Sequence, residues 1–184
     1  FINRFLLLYG NEQAVAVYRC IGYITSILYL LLQGVGDGSQ PLISQYYGKG
    51  DHRCVRATRK LAYLTAIVVT AICMAGVYLA RAKVGTLFGA SQEANAGVIQ
   101  YLPLFLATLL CLAFVRITTS YFYATEKNKL SYLLVYAEPV CTLLMLLILP
   151  PVLKLTGVWL AVPIAQVLTF VIAWVAKGRV DAKI

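Results

Sequence analysis

Residues 33–50 read QGVGDGSQPLISQYYGKG. The stretch is dense in glycine, broken by Pro41, carries Asp37, and runs into a basic segment that begins at Lys49. In a soluble protein it would be a surface turn. Here it ends an apolar run, 20–36, that has no charge and approaches membrane length. Hydrocarbon solvates neither a carboxylate nor an unpaired backbone group, so polar atoms and helix breakers are costly there. Their presence signals a bent transmembrane helix with polar groups at depth.

Composition supports the membrane as solvent. Of 184 residues, 61% are hydrophobic and 12% charged, and the mean hydropathy is +0.79. Globular domains are roughly half apolar and about a quarter charged, and a chain this short cannot bury the excess within itself. The net charge of +9 does not point to nucleic acid, because the basic residues lie between apolar runs rather than on one aromatic-studded face. Cys20, Cys54, Cys73, Cys111 and Cys141 form no CxxC or Cys/His cluster, and most sit within apolar runs as small packing residues. No HExxH, GxSxG or P-loop occurs, so the chain is not read as an enzyme.

The fold class is all-α and polytopic. A bilayer crossing needs about 20 apolar residues, and none of the runs alternates as a barrel strand would. Helices are expected at 14–46, 57–80, 94–123, 130–153 and 155–176, with 1–10 as the tail of a sixth. The chain opens without Met, as if mid-helix, which suggests an incomplete chain. A basic loop is expected at 47–60 and a tail at 177–184. The links are short, so consecutive helices run antiparallel.

Loop charge orients them. One side collects Lys49, Arg53, Arg56, Arg59, Lys60, Lys127, Lys129, Lys177, Arg179 and Lys183; the other holds Arg81, Lys83 and Lys154. The positive-inside rule places the first set, the 47–60 loop and the C-terminus in the cytoplasm of a cell-membrane protein. Arg53, Arg56 and Lys60 have helical spacing, which fits either an interfacial amphipathic turn or a solvated loop.

Asp37, Arg116 and Glu138 remain at depth. Each lies about ten residues from its loop, or roughly 15 Å, half the hydrocarbon core. Arg116 and Glu138 stand equidistant from one short loop on consecutive helices, so they are placed to meet, either as a structural ion pair or as part of a polar site. Asp37 reads as a cap on a kinked helix or as a cavity carboxylate, with Gln33 and Gln40 on either side. Gly34 and Gly38, with Gly36 between them, allow close helix approach. Pro41 bends its helix, and Glu138-Pro139 repeats the pairing of carboxylate and proline. Tyr136 is one of several deep aromatics able to hold an organic cation. Kinked helices with isolated polar groups at mid-depth point to transport.

Residues 34–60, GVGDGSQPLISQYYGKGDHRCVRATRK, resemble the second helix and following loop of a lobe in the MATE (multidrug and toxic compound extrusion) transporters, whose lobes carry a G-x-G-x-x-x-x-P…YG pattern. ATEKNKLSYL at 124–133 and LTGVWLAVPIAQVLTF at 155–170 are similar to later parts of such a lobe. The resemblance implies half of a twelve-helix, two-lobe transporter, this half being most of the C-terminal lobe. It implies a secondary antiporter that exports organic cations or amphiphilic drugs in exchange for H⁺ or Na⁺ and uses no further cofactor. Its partners would be those compounds, membrane lipids and the other lobe. In some branches of the family the lobe's cavity carboxylates lie on its first and fourth helices. The fourth here has none, so Asp37 or Glu138 substitutes, or coupling resides in the other lobe. Two other readings keep the membrane location: a lipid-linked saccharide flippase of the same superfamily, and a non-transporting half-size membrane module.

Overall fold

The computed structural model describes residues 2–87 and 92–181, and every element among them is helical: α1 (Ile2–Tyr9), α2 (Glu12–Gly48), α3 (His52–Leu87), α4 (Gln92–Ala124) and α5 (Asn128–Asp181). Four of them, α2 to α5, are long and apolar enough to cross a membrane. The fifth crossing is hidden in α5. Lys154, at φ 51° and ψ −130°, interrupts its 54 residues, leaving arms 128–153 and 155–181. Pro150 and Pro151 weaken the helix just before the break, and Gly157 completes the reversal. A Cβ at Gly157 would stand 2.5 Å from the Leu149 carbonyl oxygen, so only glycine permits the approach.

Local chemistry sets the other boundaries. Asn11 caps α2 by accepting a 2.9 Å hydrogen bond from the Ala14 N–H. The helix ends in a turn at 49–51, where Gly50 takes φ +71°, a left-handed conformation that glycine adopts at little cost. Asp51 then caps α3, accepting from the Cys54 N–H at 3.0 Å. That cap corrects the expected 47–60 loop: residues 52–60 are the first turns of α3. Likewise α3 runs on to Leu87, past the expected helix end at residue 80; residues 88–91 lie outside those described. Residues 177–181 of the expected tail belong to α5, and 182–184 are outside the described set.

α4 is the hub, packed against α2, α3 and α5. It is buried on most sides, as a helix apolar all round should be. One core cluster gathers Leu6, Ile21, Val98, Leu102, Leu146 and Trp159, with the Trp159 ring stacked on Tyr101 at 4.2 Å. A second, toward the basic end, gathers Ile43, Val55, Phe122, Leu134 and Val180. Between them Leu32 meets Ala62, Ala66, Ala113 and Ile117. The outer faces are apolar too: Leu61, Leu64, Ile72, Leu79, Leu143 and Leu147 are exposed. Such a surface is a liability in water and the matched surface in a bilayer.

Candidate functional site

Helix phase sorts the polar residues. On α2, Gln33, Gly36, Asp37 and Gln40 fall on one stripe; on α4, Arg116, Thr119, Ser120 and Tyr123 do the same; on the first arm of α5, Ser131 and Val135 follow with Glu138 one turn on. Where these stripes face each other, a cavity of about 220 Å³ opens, lined by Gln33, Gly36, Asp37, Gln40, Arg116, Thr119, Ser120, Tyr123, Ser131 and Val135. Two of its walls owe polarity to proline. Pro41 has no N–H for the carbonyl four residues back, that of Asp37, and Pro139 none for that of Val135. Both residues line this cavity.

A second cavity, about 310 Å³, lies alongside. Its walls are Tyr18, Gly22, Thr25, Ser26, Tyr29, Phe105, Leu109, Leu112, Glu138, Val162 and Gln166. The reversal at Lys154 is what brings Gln166, on the second arm of α5, to the same space as Glu138. The side-chain oxygen of Gln166 is buried without a hydrogen-bond partner.

Arg116 and Glu138 form the wall between the two. The Arg116 Nη2 lies 3.7 Å from the Glu138 Oε2, and the guanidinium sits over the Tyr29 ring, 4.2 Å from its centroid. Arg116 lines the first cavity, while Glu138 and Tyr29 line the second. At 3.7 Å the pair is a charge contact without a tight hydrogen bond, and the Arg116 Nε is buried with no partner.

The two deep carboxylates thus end in different, adjoining cavities, and Gln33 and Gln40 accompany Asp37. Tyr136 joins neither; it is 66% exposed. It lies two residues before Glu138, about 200° around the helix. Among the glycines the packing role moves. A Cβ at Gly34 or Gly38 would meet nothing within 4 Å, whereas one at Gly36 would stand 2.8 Å from the Ser120 Oγ. Of these three, Gly36 is therefore the close-approach residue within the chain. Tyr18, Thr25, Ser26, Thr119, Ser120, Ser131 and Gln166 were not among the expected site residues. Gln166 had a readable signal: it is the one amide in the uncharged run 155–176.

A third polar cluster closes the basic end. Asp181 accepts from Arg59 at 2.6 and 3.3 Å and from the Lys177 ammonium at 2.9 Å. The Arg59 guanidinium stacks over Tyr121, 4.5 Å from its centroid. Tyr47, His52, Val55, Arg56, Arg59, Tyr121 and Asp181 enclose about 200 Å³ there. Between the helices, the N–H groups facing Asp51, that of Cys54 first, hold its carboxyl below the ordinary range. Burial, and then the neighbouring Arg59, push the Lys127 ammonium below its ordinary value.

No curated protein matches the chain significantly. Solved structures do. An outward-facing multidrug resistance MATE family transporter of the MOP superfamily superposes with TM-score 0.88 at 20% identity, over 98% of this chain and 42% of that one. A MATE in the bent conformation gives 0.87 at 19%, over 98% and 41%. A MOP superfamily transporter from Pyrococcus furiosus Vc1 (DSM3638), described as having a binding pocket of reverse polarity that suggests a different function, gives 0.87 at 20%, over 98% and 42%. The chain thus spans about two-fifths of each of these proteins, the extent of one lobe in a twelve-helix, two-lobe fold. The family model MatE matches residues 1–148. With that match over most of its length, the chain belongs to the MatE family, whose members are membrane transporters rather than enzymes.

Proposed function

We propose that this chain is the C-terminal lobe of a secondary antiporter that exports organic cations or amphiphilic compounds by alternating access, in exchange for H⁺ or Na⁺. The observation that carries the proposal is the Arg116–Glu138 wall between two cavities of different character. Tyr18, Tyr29 and Phe105 give the larger one aromatic faces beside a carboxylate, the combination that attracts a desolvated organic cation. The smaller one offers Asp37 with hydroxyl and amide oxygens, a setting for the coupling ion. Cation entry competes with Arg116 for Glu138, so substrate binding and the state of the wall are linked.

Ethidium efflux by the complete transporter carrying Glu138→Gln tests this. Neutral Gln keeps the shape and removes the charge, and efflux should fall at least about tenfold if one charge-assisted contact is lost. Efflux at the wild-type rate takes Glu138 out of the mechanism.

One observation favours a second reading, an anionic substrate. Among the described residues the buried Arg116 Nε has no hydrogen-bond partner, and a guanidinium is suited to a carboxylate or phosphate. Transport of an anionic lipid-linked saccharide in reconstituted vesicles, with ethidium left behind, would select that reading.

A further inference from the structure

The cavity at the basic end belongs to neither of the two transport cavities. It lies where α2 ends, α3 begins and α5 ends, with Tyr121 near the end of α4 as one wall. Its single carboxylate, Asp181, is already spent: Arg59 engages both oxygens and Lys177 takes a second bond to Oδ2. One negative charge therefore faces two cations.

Two more cations stand at the same place, with no ion pair among the described residues. Arg56 is exposed and forms part of the wall. The Lys127 ammonium lies 5.7 Å from the ring centroid of Tyr47 and 5.8 Å from that of Tyr121, two of the cavity's walls. Its partners in the structure are those aromatic faces. Lys127 is also half-buried; burial and then Arg59 disfavour its charged form, against the smaller opposing pull of Asp181. Among the described residues, Arg56, Arg59, Lys127 and Lys177 thus gather at a cavity whose one lining carboxylate is Asp181. The remaining polar walls are His52 and the two tyrosines, Tyr47 and Tyr121, whose hydroxyls are able to donate.

We infer that this cavity binds an anionic phosphate group, received by the Arg56 guanidinium and the Lys127 ammonium. An arginine fork and a lysine point charge are the usual pair for phosphate oxygens. The helix ends that form the cavity lie where a bilayer's headgroups begin, so the phosphate comes from an anionic lipid headgroup or from a soluble phosphate. Asp181 positions the site by keeping Arg59 stacked on Tyr121.

The test uses the complete transporter in phosphatidylcholine nanodiscs. Phosphatidic acid is titrated in, and retained lipid is counted by native mass spectrometry. The wild type should retain phosphatidic acid over phosphatidylcholine, and Arg56→Gln and Lys127→Gln should each weaken that preference about tenfold, the scale of one charge-assisted bond. Lys60→Gln removes the same charge from an exposed position on α3 beyond the cavity and should change it less than about twofold. Arg56→Lys should restore part of the loss, and unchanged melting temperatures show that the variants fold. Displacement of the lipid by millimolar inorganic phosphate assigns the site to soluble phosphate; retention against it assigns the site to the headgroup. Either result upholds the site. Equal losses from Lys60→Gln and Arg56→Gln would overturn it, because diffuse surface charge would then explain the binding. So would the absence of any preference in the wild type. Ethidium efflux is not part of this readout, so the proposal stands or falls apart from the transport reading.

Discussion

At the residue scale, the deep charges were legible because a helix converts residue number into depth and phase. Arg116 and Glu138 were placed to meet by their equal distance from one turn, and they do meet at 3.7 Å. Depth alone does not fix phase: Tyr136, about 200° around the helix from Glu138, lines neither of the two cavities. Asp37 reaches its cavity through the same rule that collects Gln33 and Gln40 on one stripe. What sequence spacing could not reveal is the Arg59–Asp181 pair, whose partners are 122 residues apart and are separated by four crossings. Asp51 carries a prediction at this scale. Its carboxyl is depressed by the N–H groups it caps, so the stabilisation it lends is present above the ordinary carboxylate range, near 4, and is lost as pH falls through its lower folded value. Asp51→Ala should speed hydrogen exchange at the Cys54 amide at neutral pH, and the difference from wild type should vanish in acid.

At the scale of elements, the spans themselves were readable from length and polarity, and their ends from caps. The 47–60 segment shows where that reading fell short. Basic residues at helical spacing were compatible with loop or helix, and the Asp51 cap resolves them into α3. The break in α5 rests on backbone geometry: Lys154 in a conformation rare for a residue with a side chain, and Gly157 against the Leu149 carbonyl. Gly157→Ala should therefore cost roughly 1–3 kcal/mol, because the obstacle is backbone and cannot rotate away. Gly76→Ala, in mid-α3 where a Cβ meets nothing within 4 Å, should be neutral or stabilise by up to about 1 kcal/mol. Thermal unfolding of both variants in detergent checks the contrast. A Gly157→Ala protein as stable as wild type would mean that the two arms separate at little cost.

At the scale of the whole molecule, the apolar exposed faces, the central α4 and the concentration of basic residues at one end fit a bundle that sits in a bilayer, beside a second lobe on the reading proposed above. Exposed Gly34 and Gly38, unused within this chain, lie on the same helix as Asp37 and are available to such a neighbour. The orientation read from loop charge predicts that Cys54, next to the basic turn, reacts with a membrane-impermeant thiol reagent in inside-out vesicles and not in right-side-out ones. Labelling only from the outside would invert the topology.

The central claim is that the cation substrate and the coupling ion use opposite sides of the Arg116–Glu138 wall. It is tested most directly by equilibrium binding of ethidium to the purified complete transporter, comparing Glu138→Gln with Asp37→Asn. The account predicts that Glu138→Gln weakens binding about tenfold or more, while Asp37→Asn leaves affinity within about twofold and abolishes its dependence on pH or Na⁺. Unchanged affinity in Glu138→Gln, or a tenfold loss in Asp37→Asn alone, would contradict it.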